Sequence, residues 1–215
     1  MKRLCAVFIV SAVLWGAAAA QAASLTRDQA LKALDHPDAA ARIEGIERLG
    51  AIGRAADADK LMRRLGDADD DVRAAATDAI WLIWSRSGDA AIDKLFARGV
   101  EHMQGQMFDD ALTVFSQIVA RRPAFAEGWN KRATVYFLLG EYEKSLQDCD
   151  EVFKRNPNHF GALAGAGQIH LHLGHLPEAL QYFQRALKVN PNLDGIRQAI
   201  PLIEQRLRDK ERSTT

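Results

Sequence analysis

The second half of the chain repeats itself with a period of 34 residues. Pro123, Pro157 and Pro191 are separated by that period, and most large, small and turn residues between them recur at the same step. The central copy contains two helical patterns interrupted at Gly140. A period of about 20–50 residues is typical of repeat proteins, in which each unit buries its apolar face only against its neighbours. The period therefore restricts this part of the chain to a stack of helical hairpins.

Three copies align over residues 92–125, 126–159 and 160–193. Their columns combine small side chains, which let two helices approach closely, with large side chains that fill the space between hairpins. The columns are Leu95, Trp129 and Leu163; Gly99, Ala133 and Gly167; His102, Tyr136 and His170; Phe108, Tyr142 and Leu176; Ala111, Ser145 and Ala179; Phe115, Cys149 and Phe183; and Ile118, Val152 and Ala186. The pattern resembles tetratricopeptide repeats. That resemblance implies an all-α fold, a right-handed α-solenoid of stacked antiparallel helical hairpins.

The turn inside the first copy differs from the other two. Gly140 and Gly174 end the first helices of the second and third copies, where a left-handed backbone conformation is needed. The first copy has Gln106 in that column and Gly105 one residue earlier. A turn of a different shape is therefore expected in the first copy.

Before these repeats, two shorter segments match each other with an offset of 31 residues. Leu34 aligns with Leu65, and Arg42 aligns with Arg73. Acidic residues in each turn would satisfy exposed N–H groups at the start of the next helix, and the arginine can pair with an acid of the neighbouring repeat. The pattern resembles the short HEAT-like repeats related to those of phycobilin lyases. It predicts helices over about residues 26–34, 39–49, 55–65 and 70–85.

These patterns divide the chain into four parts. The predicted parts are an export signal over residues 1–23, HEAT-like repeats over 24–88, three tetratricopeptide repeats over 89–193, and a capping helix with a frayed tail over 194–215. Trp81 and Trp84 are expected to pack where the two repeat types meet. The capping helix is expected to begin after Asn192 as its N-cap and to kink or restart at Pro201.

Residues 1–23 have the pattern of a bacterial export signal. Lys2 and Arg3 form a basic start, and an apolar run of 17 residues without a charge follows. Small residues around Gln21 predict cleavage after Ala22 or Ala23. The alternative is a retained membrane anchor, for which this run is barely long enough. The pattern predicts a periplasmic or secreted protein that is not stably inserted in the membrane once the signal is removed.

Charge and cysteine content narrow the range of functions. The chain has 28 basic and 28 acidic residues, so it has no excess of positive charge for phosphate backbones, and nucleic acid is not an expected partner. Cys149 alone remains after signal removal, which excludes an internal disulfide in the mature chain. It lies on an apolar helix face, which predicts a small buried thiol; a reactive thiol or an intermolecular disulfide is the alternative.

No pattern of residues typical of catalysis stands out. HExxH, GxSxG, a Walker lysine and Cys-x-x-Cys are all missing from the sequence. His170, His172 and His175 form the strongest candidate metal cluster, but residues two positions apart on a helix point to different faces. His175 also lies beyond the helix-ending Gly174. Neither an enzyme nor a cofactor is expected, and a metal site at His170 and His172 stays open as an alternative.

The candidate binding site is a groove. In the family that these repeats resemble, the first helices of successive hairpins build a concave wall on which ligand peptides lie. The matching inward positions are Phe96, Val100, Met103, Gln104, Glu127, Asn130, Thr134, Phe137, Ala164, Gln168, Leu171 and His172. All except Gln104, Glu127 and Ala164 are predicted to contact a ligand. Asn130 would hydrogen-bond an extended backbone; the alternative is that some of these side chains pack beneath a neighbouring hairpin or the cap.

The resemblance also limits the kind of ligand. Chaperone-binding members of the family clamp a C-terminal carboxylate with lysine, arginine and asparagine. The corresponding positions here are Phe96, Val100, Gly161 and Gly165, so carboxylate capture is not expected. The sequence predicts a non-catalytic scaffold of the cell envelope that binds a protein or peptide in its concave groove. The alternatives are a structural or self-assembling component that acts through its convex face, and a metal-binding protein or enzyme.

Overall fold

The computed structural model describes residues 24–213, and every regular element in that range is a helix. Residues 1–23, where the export signal is predicted, and residues 214–215 lie outside this range. The helices are α1 (Arg27–Ala33), α2 (Ala39–Ile52), α3 (Ala58–Met62), α4 (Asp70–Trp84), α5 (Ala90–Gln104), α6 (Phe108–Arg121), α7 (Ala126–Leu138), α8 (Tyr142–Arg155), α9 (Phe160–His172), α10 (Leu176–Val189) and α11 (Asp194–Ser213). The predicted all-α fold is confirmed. Within residues 24–213, no helix combines the length and apolarity needed to cross a membrane.

The three predicted repeats form the hairpins α5–α6, α7–α8 and α9–α10, stacked in chain order. Their small residues allow the close approach that the columns predict. A Cβ atom on Gly99 would lie 2.8 Å from the ring of Phe115, and one on Gly167 would lie 2.5 Å from the ring of Phe183. Folded interiors are too tightly packed to accept such overlaps, so glycine sets the spacing of these two helix pairs.

The turns inside the three repeats have the same shape, which corrects the expectation of a different first turn. Gln106 adopts a φ of 58°, close to the 76° of Gly140 and the 75° of Gly174. In each turn the next residue donates its N–H to a carbonyl five residues back over 2.9 Å, as Met107 does to His102. The repeat geometry therefore forces a non-glycine residue into the left-handed region, at a cost of about 1–2 kcal/mol.

Residues 24–88, here called the N-terminal unit, contain α1–α4. Thr26 begins α1 with the predicted capping box, and Asp69 begins α4 by accepting the N–H groups of Asp71 and Val72. The expected continuous third helix is wrong: α3 has only five residues and stands between the 3-10 turns Ala55–Asp57 and Arg63–Gly66. The buried core of the unit includes Ile46, Leu49, Leu61, Leu65, Val72, Ala76 and Ile80.

Arginines at the repeated positions tie the unit together and to the rest of the chain. Arg42 donates to the carboxylate of Asp67 over 2.8 Å, the pairing across neighbouring units that the pattern predicts. Arg73, its counterpart, donates instead to the Asn192 side chain over 3.0 Å. Asn192 in turn donates to the carbonyl of Leu65 over 2.9 Å. Its side chain therefore binds the N-terminal unit instead of capping α11.

The last helix covers the end of the third repeat. Ile196 and Ile203 of α11 are buried in the same cluster as Leu163 and Phe183. The helix continues through Pro201, so the expected restart does not occur there. α11 thus supplies the apolar face that the third hairpin needs on its outer side.

The N-terminal unit folds back onto the third repeat. Trp81 and Trp84 of α4 lie 5.2 and 5.0 Å, between ring centroids, from Phe160 at the start of α9. Phe160 is 1% exposed and belongs to the core of the N-terminal unit. The tryptophan pair therefore lies between the N-terminal unit and the third tetratricopeptide repeat.

Candidate peptide-binding groove

The first helices of the repeats, α5, α7 and α9, lie side by side. Between α7 and α9 the structure brings together Asn130, Thr134, Phe137 and Gln168, four of the predicted ligand-contacting residues. They surround a cavity of about 120 Å³. Gln168 is exposed, Thr134 and Phe137 are half-buried, and Asn130 is 7% exposed. In this cavity, here called the central pocket, these four predicted residues share one concave space.

The first-repeat end of the predicted groove is core. Phe96 is 7% exposed, and its ring packs edge-on against Phe115 and Phe125 at centroid distances of 5.9 and 5.5 Å. Val100 and Met103 are half-buried against the same cluster. The prediction that Phe96 forms a ligand pocket is therefore wrong, because Phe125 of the next turn covers its ring.

The opposite end of the predicted groove is built from aromatic side chains. His172 stacks on Tyr142 with ring centroids 5.6 Å apart, and its ring lies 5.4 Å from that of Phe137. Leu171 packs against the apolar cluster that joins the third repeat to α11. Phe137 thus lines the central pocket and His172 packs on its ring. Leu171 contributes mainly to the contact with the cap.

The base of the central pocket is formed by Ala133 and Cys149. Cys149 is 3% exposed and free, as the sequence predicts for a buried thiol. Burial raises the pKa of Cys149 to about 12, with smaller contributions from the charges of Asp148 and Asp150. The thiol is therefore neutral near pH 7, and the base of the pocket carries no charge.

A buried polar network fixes Asn130 at the rim. Its Nδ2 donates to Glu127 Oε2 over 3.1 Å, and His159 Nε2 lies 2.8 Å from the same oxygen. His159 Nδ1 accepts the N–H of Ala162 over 3.1 Å, so the proton of the neutral ring lies on Nε2 and is donated to Glu127. Lys131 Nζ lies 3.2 Å from the other carboxylate oxygen. Glu127, which was not predicted to bind a ligand, is the centre that orients Asn130.

The charge of Glu127 is stabilised by these partners. Burial alone would raise the pKa of Glu127, because it disfavours the ionised form. The hydrogen bonds from His159 and Asn130 and the charge of Lys131 outweigh that effect, so the pKa of Glu127 lies below its ordinary value. A carboxylate with three neighbours that favour its charge stays ionised although it is 1% exposed.

Trp81 of the N-terminal unit occupies the end of the groove next to this network. The Nζ atom of Lys131 lies 5.6 Å from the centroid of the Trp81 ring. A Cβ atom on Gly161 would lie 2.4 Å from Cη2 of the same ring. Trp84 stacks on His159 with centroids 4.3 Å apart. The repeat pattern did not predict this contact; the residue that signals it is Gly161, where the preceding repeat has Glu127.

The histidines divide between two faces of α9. His170 stacks on Tyr182 with centroids 5.3 Å apart and lies 5.8 Å from the His175 ring, whereas His172 faces Tyr142. Burial lowers the pKa of His170. In the part of the chain that the structure describes, no group of three or more histidine, cysteine or acidic side chains is arranged to hold a metal ion.

Comparison with known proteins agrees with the repeat pattern. Residues 124–192 match the family profile described as tetratricopeptide repeat. A TPR repeat-containing protein of Rhizobium etli is 30% identical over 141 residues, which are 66% of this chain and 69% of that protein. The Hsp70-Hsp90 organizing protein of Triticum aestivum is 25% identical over 112 residues, and the match covers 50% of this chain but only 19% of that protein.

A solved structure shares the fold of the repeats. The first TPR of Spaghetti (RPAP3), determined with a bound HSP90 peptide, superposes with a TM-score of 0.52 at 22% sequence identity. The superposition covers 54% of this chain and 92% of that domain. With the repeat columns, the stacked hairpins and the Rhizobium etli relative, this places the chain in the tetratricopeptide repeat family.

Proposed function

We propose that this protein is a non-catalytic scaffold that binds a protein or peptide on the concave side of α7 and α9. The observation that carries the proposal is the central pocket, where Asn130, Thr134, Phe137 and Gln168 meet around one open cavity. Repeat domains of this fold hold peptides in other proteins, as the HSP90 peptide on the Spaghetti domain illustrates. Because Phe125 covers Phe96 at the first-repeat end, the proposed groove is restricted to repeats two and three.

The binding test uses one substitution made at two places. Gln168→Arg places a long cation beside the central pocket, and Gln181→Arg makes the same change at an exposed position of α10 in the same repeat. A peptide selected from a random library on the wild-type protein should bind the Gln168→Arg variant at least tenfold more weakly and the Gln181→Arg variant unchanged. Equal affinity for all three proteins would argue against the groove.

We also propose that the protein acts in the cell envelope, with the HEAT-like N-terminal unit as part of the exported chain. The support is the basic start, apolar run and small residues of residues 1–23. Expression of the full chain in a bacterium, followed by fractionation and N-terminal sequencing, tests this. The mature protein should begin at Ala23 or Ser24 in the periplasmic or culture fraction; an intact Met1 in the cytoplasmic fraction would refute the location without affecting the groove.

A further inference from the structure

The central pocket exists because the second repeat departs from its neighbours at two columns. In repeats one and three, a glycine of the first helix meets the ring of a phenylalanine from the second helix, as Gly99 meets Phe115. In repeat two the same columns hold Ala133 and Cys149. Replacing a phenyl ring by a thiol removes far more volume than an added methyl restores, and the space left over is the central pocket.

The lining of the pocket determines what can enter it. Its base is mainly apolar, since the one hydroxyl there, of Ser145, donates to the carbonyl of Ala133 over 2.7 Å. Its rim carries the amides of Asn130 and Gln168 and the hydroxyl of Thr134, and none of its lining residues bears a charge. A charged side chain would lose its hydration there without gaining a partner. An apolar cavity of about 150 Å³ holds benzene, so a volume of 120 Å³ fits an aliphatic side chain up to the size of leucine and excludes an indole.

The rim selects a hydrogen-bond donor. Glu127 is ionised and can only accept, so the amide of Asn130 must turn its NH₂ group toward it. The Asn130 carbonyl Oδ1 is thereby left as the free group, and it accepts no hydrogen bond from a residue within 24–213. The ligand must therefore bring an N–H group to this edge of the pocket, as an extended backbone does.

The neighbourhood of the pocket argues for an internal segment of a ligand. Both cations of α7 are engaged: the ammonium of Lys131 faces Glu127 and the ring of Trp81, and the guanidinium of Arg132 donates to Asp148. Gly161 and Gly165 supply no charge on the α9 side, and Trp81 covers Gly161. A terminal carboxylate would find no free cation here.

We infer that the central pocket receives one small aliphatic side chain from an internal, extended segment of a partner protein, whose N–H donates to Asn130 Oδ1. The inference rests on the proposed groove function and adds the ligand class. It makes the Ala133–Cys149 pair the main source of specificity, since the missing phenyl ring opens the pocket. Ser145, which stands where repeats one and three have alanine, adds only a hydroxyl that donates to the carbonyl of Ala133.

Two variants fill the pocket from opposite sides. Ala133→Gly combined with Cys149→Phe gives repeat two the glycine–phenylalanine pair that repeats one and three already accommodate. Gly165→Leu adds a side chain at the rim, where a new Cβ would meet nothing within 4 Å. The matched control is Gly195→Leu, since the Cβ of Gly195 in α11 also meets open space. Both single substitutions replace a helical glycine, which favours the helix, and circular dichroism checks the folding of all three proteins.

The probe is a phage library of 12-residue peptides followed by a linker, so that no selected sequence ends in a free carboxylate. We expect the enriched peptides to share a valine, leucine or isoleucine. For the strongest peptide, synthesised with both ends capped, replacing that residue by tryptophan or aspartate should weaken binding at least tenfold. Both pocket-filling variants should show a similar loss by calorimetry, and Gly195→Leu none.

Other outcomes separate the two proposals. Enriched peptides that bind the pocket-filled double variant as tightly as the wild type, yet fail on Gln168→Arg, would overturn the pocket assignment and keep the groove. An uncapped peptide that binds more than tenfold tighter through its free carboxylate would overturn the internal segment. A library without any enrichment over empty beads would overturn the groove function and the inference together.

Discussion

Gln106 shows how a repeat can impose a conformation on one residue. Its φ of 58° matches that of the glycines in the other two turns, although a side chain makes this region unfavourable. Because hydrogen bonds and packing fix the turn, Gln106→Gly should stabilise the protein by about 1 kcal/mol. Urea denaturation measures the change. Gly140→Ala, the reverse exchange in the second repeat, should destabilise by at least as much; a neutral result for both would contradict the strain.

The carboxylate of Glu127 makes the stability of the fold sensitive to acid. Its pKa is lowered in the folded state, so its contribution to stability is present above the ordinary glutamate pKa of about 4.3 and is lost as the pH falls through the lower folded value. Glu127→Gln should cost about 1–3 kcal/mol at pH 7, because Asn130 and Lys131 lose a charged acceptor.

The pH dependence of the stability loss in Glu127→Gln distinguishes the contribution of the charge of Glu127 from that of its shape. The stability difference between wild type and Glu127→Gln should shrink below about pH 4, where the wild-type carboxylate also takes up a proton. Glu143→Gln serves as the control, since Glu143 is exposed on α8. A difference that stays constant from pH 7 to the acid range would show that the charge of Glu127 does not stabilise the fold.

At the scale of elements, the aromatic contact that attaches α4 to the third repeat is made by Trp81 and Trp84. Trp84 packs on both His159 and Phe160, so Trp84→Ala should remove most of this contact, with a cost of about 3–5 kcal/mol typical of a large aromatic truncation. Limited proteolysis near Ser87–Asp89 should then be faster. Leu82→Ala on the same helix is the control, because Leu82 is 55% exposed; equal cleavage of both variants would contradict the role of Trp84.

The helices were predictable from the sequence wherever their packing contacts recur with the repeat period. The columns of Gly99 and Phe115 encode a contact inside one hairpin, which recurs and is therefore visible. The contact of Trp81 with Gly161 occurs once, between the N-terminal unit and the third repeat, so no periodic pattern predicts it. Phe96 is not a groove residue for a related reason. Its position in the repeat predicts which face of the helix it lies on, but it does not predict that the neighbouring Phe125 covers its ring.

The candidate site was predictable to a similar extent. Asn130, Thr134, Phe137 and Gln168 follow from the repeat register and do meet at one pocket. The depth of that pocket depends on Ala133 and Cys149, two small side chains that face each other across a hairpin. Both residues appear in the repeat columns, but only the structure shows that they leave a cavity. The orientation of Asn130 depends on His159, which lies in the following inter-repeat turn.

On the scale of the whole molecule, the N-terminal unit and the repeat array share one apolar boundary. Phe160 is buried by α4, and Val189 and Leu193 pack against the same core. A chain that begins at Asp89 should keep its three hairpins, since their own cores stay intact, but should expose this boundary. It should bind the dye ANS, whereas the chain from Ser24 should not, and similar dye fluorescence for both would argue that the two parts are independent.

The aromatic contact between α4 and α9 also has a consequence for the newly synthesised chain, because its two sides are made at different times. Phe160 follows Trp81 by 79 residues in the sequence, and synthesis at about 5–20 residues per second separates their appearance by roughly 4–16 s. During that interval Trp81 and Trp84 have left the ribosome but the surface that covers them has not been made. Each new molecule therefore passes through a stage with an uncovered tryptophan pair, in which a chaperone or a second nascent chain competes for the place that α9 will later occupy.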